Sequence, residues 1–182
     1  MKGLFEMIKK ILVPIDGSDH ANKALDLAAD IAEKYDAKLI VLHALLRRTS
    51  IDKATALCKE LDAPETTINN VQNIVDNIYT AAAASPYGLP VYATMPEEIA
   101  KEIGALIIDK AKQNLTLKGL KDLTTQILDA DPVDCILTAV DHEKPDMIFM
   151  GSRGLGKLSS VLMGSVSSKV NHLAPCTCVT VK

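Results

Sequence analysis

The order of hydrophobic and polar residues predicts alternating strands and helices over the first 45 residues. Residues 9–15 and 38–44 are apolar at nearly every position and rich in β-branched side chains. Such runs indicate strands that are buried on both faces, as in a parallel sheet covered by helices. Between them, apolar residues recur at helical spacing as far as Tyr35, after Ser18 or Asp19, either of which can cap the helix.

The same alternation returns near Met95 and continues to the end of the chain. Pro96, followed by two acidic residues, indicates the start of a helix. The elements predicted after it are a strand at 121–128, a helix capped by Asp131-Pro132 through about residue 142, a strand at 147–150, a glycine-rich loop at 151–158, a helix from about Ser159 to Leu173, and a strand at 176–181. This order predicts an α/β fold with an open, doubly wound, Rossmann-like parallel sheet of five strands.

Residues 46–95 separate the two stretches and are too long for a simple connection. Their apolar residues predict a helix with a strong stripe from Ile68 to Tyr79, and a second helix over 51–61. About 50 residues make a poor independent core. We therefore expect one domain over 1–182 with a helical insertion at 46–95, which could serve as a lid, a dimer arm or a partner surface.

The composition then excludes several classes of protein. Hydrophobic residues make up 48% of the 182 positions, which is too many for a disordered chain. A net charge of -3 provides no basic surface for nucleic acid, and 3% aromatic residues are too few for base-stacking platforms. The apolar runs are far shorter than the roughly 20 residues that span a bilayer, so we expect no membrane insertion.

The cysteines and histidines add an expectation about the compartment and about metals. The four cysteines form no C-x-x-C pair, and no export signal precedes them, which is typical of reduced thiols in the cytoplasm. The four histidines lack the spacing of metal ligands. The sequence therefore predicts a cytoplasmic protein without a zinc site.

The segment that carries chemistry is the loop at 151–158. Three glycines follow a buried strand directly, and glycine lets backbone N–H groups approach a ligand closely. A helix start nearby supplies oriented donors, Ser165 adds a hydroxyl, and Arg153 and Lys157 add positive charge. The pattern predicts a phosphate site at the carboxyl end of the sheet. The alternative is a flexible glycine turn in which Gly164 allows close helix packing.

Two familiar phosphate motifs nearly match this loop, and both fail. The Walker A spacing fits from Gly151 to Lys157, but Leu158 stands where a Ser or Thr must bind magnesium. The dinucleotide fingerprint begins at Gly154 and fails because Ser159 occupies the position of its third glycine.

A third pattern matches in full. The motif G-x2-G-x9-G-S, from Gly151 to Ser165, resembles the nucleotide motif of the universal stress protein family in its ATP-binding branch. Further segments resemble that family in the same order along the chain, at 11–18, 38–44 and 145–154. The resemblance covers 1–46 and 96–182, and it implies an adenine-nucleotide α-hydrolase-like fold.

The resemblance also implies a site for ATP or AMP. Asp16 and the backbone at Pro14 and Ala44 would hold the adenosine part, and Gly151 would lie by the ribose. The residues implied to hold the phosphates are Gly154, Gly164, Ser165 and Val166. The remaining residues of the implied site are Met150 and Arg153. Mg²⁺ would be held mainly through the phosphates. Plainer roles remain open, with Asp16 as a helix-capping turn acid and Ser165 as an ordinary helical serine.

Two further regions bear on the resemblance. Asp129-Ala130-Asp131-Pro132 replaces a turn where the family often has glycine, so these acids either lie near the ribose or cap a helix. The last strand, 176–181, is expected at a sheet edge, and exposed edges tend to pair. The family pairs such strands across a two-fold axis, which implies a homodimer.

With the resemblance, the sequence predicts a cytoplasmic adenine-nucleotide-binding regulator of a stress response. From the sequence we expect no nucleophile–base pair beside the loop and therefore no metabolic enzyme, while slow ATP hydrolysis or autophosphorylation stays open. One alternative is an interaction module of the same fold that binds no nucleotide. Another is a nucleotide-transferring enzyme, which needs an H-x-G-H or S-G-G-x-D-S loop that residues 16–20 lack.

Overall fold

A computed structural model describes residues 8–83, 95–120, 122–156 and 163–182. Its strands are β1 (Lys10–Pro14), β2 (Lys38–Ala44), β3 (Leu123–Leu128), β4 (Met147–Gly151) and β5 (Thr177–Val181). Its helices are α1 (Asp19–Tyr35), α2 (Ile51–Glu60), α3 (Glu65–Ala83), α4 (Glu97–Leu117), α5 (Pro132–Glu143) and α6 (Ser165–Leu173). Lys121, loop residues 157 and 158, and Ser159 lie outside the described residues.

The described strands form one parallel sheet in the order β3-β2-β1-β4-β5. The chain moves outward from β1 through β2 to β3, and then returns to the other side of β1 for β4 and β5. The predicted five-stranded, doubly wound α/β sheet is therefore confirmed. The last strand lies at an edge of the sheet of this chain, as predicted.

Both faces of the central strands β1, β2 and β4 are buried, which explains why these strands are apolar at consecutive positions, whereas β3 and β5 are half-buried to exposed. On one face, Leu12 and Leu42 belong to a core cluster with residues of α5 and with Val170 of α6. Residues of the opposite parity, such as Ile11 and Val41, are also fully buried. Their side chains point to the other face, because successive residues of a strand alternate.

The starts of α1 and α5 follow the prediction. Ser18 is the N-cap of α1, and its hydroxyl oxygen accepts from the N–H of Ala21. Asp131 is the N-cap of α5, and its carboxylate accepts from the N–H of Val133 at 3.0 Å. Of the two roles left open for the acids before Pro132, Asp131 therefore has the capping role.

The predicted start of α6 is wrong in the part that the structure describes. Residue 163 and Gly164 are not helical, and α6 begins at Ser165 with Gly164 as its N-cap. The reason is a long-range contact, because the N–H of Gly164 donates to the carbonyl of Ser152 at 2.7 Å. The start of α6 therefore lies against the glycine loop and not several residues beyond it.

The chain divides into two compact units, 1–45 with 107–182, and 46–106. The second unit is helical over α2 and α3, and the carbonyl of Arg47 accepts from the N–H of Met95 at 2.9 Å, which joins the two ends of the insertion. One domain with an insertion at 46–95 remains a prediction. Among the residues described, no helix combines the length and the hydropathy of a membrane span.

Candidate functional site

The candidate site lies at the carboxyl ends of β1 and β4, which are neighbours in the sheet. Met150 of β4 packs in the core cluster on the face of α5 and α6. The next residue, Gly151, points to the other face, against the first turn of α1. The two strands are thus followed by helices on opposite faces, which opens a crevice at the position where doubly wound folds bind ligands.

The carboxylate of Asp16 joins the turn after β1 to the glycine loop after β4. Its Oδ1 accepts from the N–H of Ser18 at 3.0 Å and from the Ser18 hydroxyl at 2.6 Å. Its Oδ2 accepts from the N–H of Leu155 at 3.1 Å. Asp16 is therefore not the cap of α1, since that role belongs to Ser18. The carboxylate brings together two segments that are far apart in the sequence.

Steric crowding explains why two of the three loop positions are occupied by glycine. A Cβ at Gly151 would lie 2.8 Å from the backbone atoms of His20 and Ala21, which real side chains essentially never do. A Cβ at Gly154 would collide with the carboxylate of Asp16. A Cβ at Gly156 would meet no atom of the described residues within 4 Å. Glycine at 151 and 154 thus lets α1 and Asp16 approach the loop closely.

Ser152 is buried and is bonded through its backbone and its side chain. Its N–H donates to the carbonyl of Val181 at 2.6 Å. Its carbonyl accepts from the N–H of Gly164 at 2.7 Å and from the hydroxyl of Ser167 at 3.0 Å. Its hydroxyl lies 2.9 Å from Nδ1 of His20. This one residue therefore connects the loop to β5, to the start of α6 and to α1.

The start of α6 presents backbone donors beside the loop. The first N–H groups of a helix have no acceptor inside it, and the helix dipole adds partial positive charge there. Ser165 is the first residue of α6 and is exposed, and Val166 follows it half-buried. An anion is favoured at such a position. Both roles left open for Ser165, phosphate donor and ordinary helical serine, are compatible with this position at the exposed start of α6.

His43 supports the turn that carries Asp16. The side chain is fully buried, and its Nδ1 lies 2.8 Å from the carbonyl oxygen of Ile15. A carbonyl only accepts, so Nδ1 carries the hydrogen, while Nε2 has no partner among the described residues. Burial lowers the pKa of His43, against the opposing effects of the Ile15 hydrogen bond and the charge of Asp16.

The other residues of the expected site lie at the same edge of the sheet. Pro14 and Ala44 are the last residues of β1 and β2. Arg153 lies half-buried in the loop, next to the exposed Gly154. The structure therefore brings the expected residues to the ends of three adjacent strands and to the start of α6.

Comparison with known proteins decides the family. The family model described as "Universal stress protein family" matches residues 7–182. The universal stress protein YxiE of Bacillus subtilis (strain 168) is 30% identical over 176 residues, which cover 97% of this chain and 100% of YxiE. The chain belongs to the universal stress protein family.

Solved structures agree with this universal stress protein in fold. A universal stress protein in complex with cAMP matches with a TM-score of 0.60 and 22% identity, over 97% of this chain and 99% of that one. The Arabidopsis thaliana family protein At3g01520, with AMP bound, matches with a TM-score of 0.54 and 18% identity, over 96% and 91%. At these identities the likeness establishes the fold alone.

Sequence reasoning missed three residues of this universal stress protein. His20, Ser152 and Ser167 are bonded side chains at the site, and none stood among the expected residues. Ser152 lies inside the recognised motif, at one of its variable positions, so the motif carried no signal for it. Ser152 is buried next to Gly151, where α1 packs too closely for any side chain. This burial depends on the packing of α1, which no local pattern in the sequence indicates.

Replacing Gly151 with alanine should destabilise the protein by roughly 1–3 kcal/mol, the usual cost of overpacking a tight site. The added methyl group would press on the backbone of α1, and backbone atoms cannot move aside by a change of rotamer as a side chain can. Gly156→Ala in the same loop is the control, and we expect it to stay within about 0.5 kcal/mol of wild type. Urea unfolding measures both. Equal midpoints for Gly151→Ala and wild type would contradict the packing described.

Protonation of His43 should make stability depend on pH. An unfolded histidine titrates near pH 6.5, whereas the folded pKa is lower, so the unfolded chain binds the proton first as the pH falls. The free energy of unfolding should therefore decrease below about pH 6.5. His43→Asn keeps an N–H donor for Ile15 without this titration. The loss of stability between pH 7 and 5 should then be smaller, and an unchanged loss would exclude His43 as its source.

Proposed function

We propose that this universal stress protein binds an adenine nucleotide, ATP or AMP, at the crevice between β1 and β4. We further propose that it acts in the cytoplasm as a nucleotide-responsive regulator of a stress response. The observation that carries the proposal is the bond from Gly164 to Ser152, which places the first amides of α6 beside the glycine loop.

The phosphate end of the nucleotide fits the start of α6. The N–H groups of Ser165 and Val166, in the first turn, have no acceptor within the helix, and the N-cap residue is glycine, so it offers no side chain that would cap them. The exposed hydroxyl of Ser165 adds a donor, and Arg153 adds positive charge. Such a group of amides at a helix start favours phosphate.

The adenosine end fits the ends of β1 and β2. An ionised carboxylate has about four acceptor positions, and three donors from Ser18 and Leu155 already contact Asp16. Counting the contacts of the described residues, one position is left for a ribose hydroxyl or an amine. The backbone at Pro14 and Ala44, with Gly151 and Met150 of β4, would form the surroundings of the base and the sugar.

Two solved relatives support the choice of an adenine nucleotide. One is described in complex with cAMP and the other with AMP bound. Each ligand is an adenine ring, a ribose and a phosphate, which are the three parts that the ends of β1 and β2 and the start of α6 would hold here. Mg²⁺ would enter with ATP and be held mainly through its phosphates, because Ser18 and Leu155 already engage Asp16.

The edge strand β5 supports a homodimer. Thr177–Val181 lies at the edge of the sheet of this chain, and an edge presents unpaired N–H and C=O groups to another strand. We expect a sedimentation mass of twice the 19.6 kDa of one chain at micromolar concentration. A mass of one chain under those conditions would contradict pairing through β5.

Substitution at Gly164 tests the nucleotide site. A Cβ there would lie 3.3 Å from the carbonyl oxygen of Ser152, which would have to give way by a few tenths of an ångström. The methyl group would stand at the N-cap, next to the first amides of α6. We expect Gly164→Ala to weaken ATP binding about tenfold or more, since hydrogen bonds to charged groups are worth roughly 1.5–3 kcal/mol. Titration calorimetry with ATP measures the change.

Gly156→Ala is the matched control, because an added Cβ there meets no atom of the described residues within 4 Å. It should bind ATP as wild type does, and all three proteins should melt at similar temperatures. Absence of ATP and AMP binding to wild type at millimolar ligand would overturn the proposed function and leave an interaction module of the same fold. Equal affinity in Gly164→Ala and wild type would exclude the start of α6 as the phosphate site.

A further inference from the structure

His20 and Ser152 form a hydrogen-bonded pair at the base of the glycine loop, and neither residue is among the expected ligand contacts. Nδ1 of His20, in the first turn of α1, lies 2.9 Å from the hydroxyl of Ser152. The two residues are 132 positions apart in the sequence. The pair therefore fixes α1 to the loop by a side-chain bond, at the point where Gly151 already lets the two backbones touch.

The bond leads directly to the start of α6. The carbonyl of Ser152 accepts from the N–H of Gly164 at 2.7 Å and from the hydroxyl of Ser167 at 3.0 Å. These two contacts hold the N-cap and the first turn of α6. A shift of Ser152 would therefore move the amides to which the proposed function assigns the phosphates.

The start of α1 is capped without a contribution from the His20 side chain. Ser18 caps α1 through its hydroxyl oxygen, and the N–H of Asn22 donates to the carbonyl of Ser18 at 2.9 Å. The far end of the loop has its own support, from Asp16 to Leu155. The near end, at Ser152, receives side-chain contacts from His20, at its hydroxyl, and from Ser167, at its carbonyl.

We propose that His20 is a positioning residue for phosphate binding, acting through Ser152 on the start of α6. The inference rests on the proposed function, because it concerns the same nucleotide site. It separates the two halves of the ligand: His20 supports the phosphate end, while the adenosine end, at Asp16, Pro14 and Ala44, has other supports.

The test compares ATP with adenosine. In His20→Ala, ATP should bind about three- to tenfold more weakly, as expected for the loss of one neutral hydrogen bond, while the affinity for adenosine stays within about twofold. Ser152→Ala should show the same selective loss, because it removes the other partner of the bond. The double variant should be no weaker than either single one, since the two residues act through one contact.

Two further variants separate positioning from general stability. His20→Asn places an amide near the position of Nδ1 and should restore ATP binding to within about twofold of wild type. Asn22→Ala, two residues along the same helix and exposed, should bind ATP and adenosine as wild type does. Melting temperatures are recorded for every variant.

Equal losses of ATP and adenosine affinity in His20→Ala would overturn the proposal, because they would indicate a general disturbance of the site. Unchanged ATP affinity in both His20→Ala and Ser152→Ala would overturn it as well. In either case, ATP binding by wild type would leave the proposed function standing. If the wild-type protein bound neither ATP nor adenosine, both the role of His20 and the proposed function would be overturned.

Discussion

The candidate site depends on the position of β4 beside β1, with the following helices on opposite faces of the sheet. This arrangement forces the turn after β1 and the loop after β4 to share one edge. The two segments exchange hydrogen bonds at this edge. Asp16 accepts from the loop at Leu155, and Ser152 bonds to His20. The described part of the loop, residues 151–156, is therefore held by tertiary contacts.

Close packing and polar satisfaction reinforce each other at this edge. Gly151 allows the backbone of α1 to approach, and that approach brings His20 within reach of the buried Ser152. The carbonyl of Ser152 in turn accepts from the N–H of Gly164, the N-cap of α6. A site made in this way presents backbone amides and a helix dipole to an anion. It needs few basic side chains, in agreement with a net charge of -3 for the whole chain.

The sheet and most helix boundaries were predictable because they depend on local patterns. Continuous apolar runs mark strands buried on both faces, and Ser18 and Asp131 mark helix starts through their own side chains. The start of α6 was not predictable, because it depends on the hydrogen bond from the N–H of Gly164 to the carbonyl of Ser152, twelve positions earlier in the sequence. Gly151 was recognised as important, but its contact with α1 gives a reason that spacing could not reveal. The bond between His20 and Ser152 joins residues too distant for any local signal.

We propose that backbone amides at the start of α6 bind the phosphates of an adenine nucleotide. Amide nitrogen–proton NMR spectra of wild-type protein, titrated with ATP and separately with adenosine, test it most directly. We predict that the amide signals of Ser165 and Val166, whose N–H groups would bind the phosphates, shift with ATP and much less with adenosine. Shifts confined to residues 46–106, or no shifts at millimolar ATP, would contradict it.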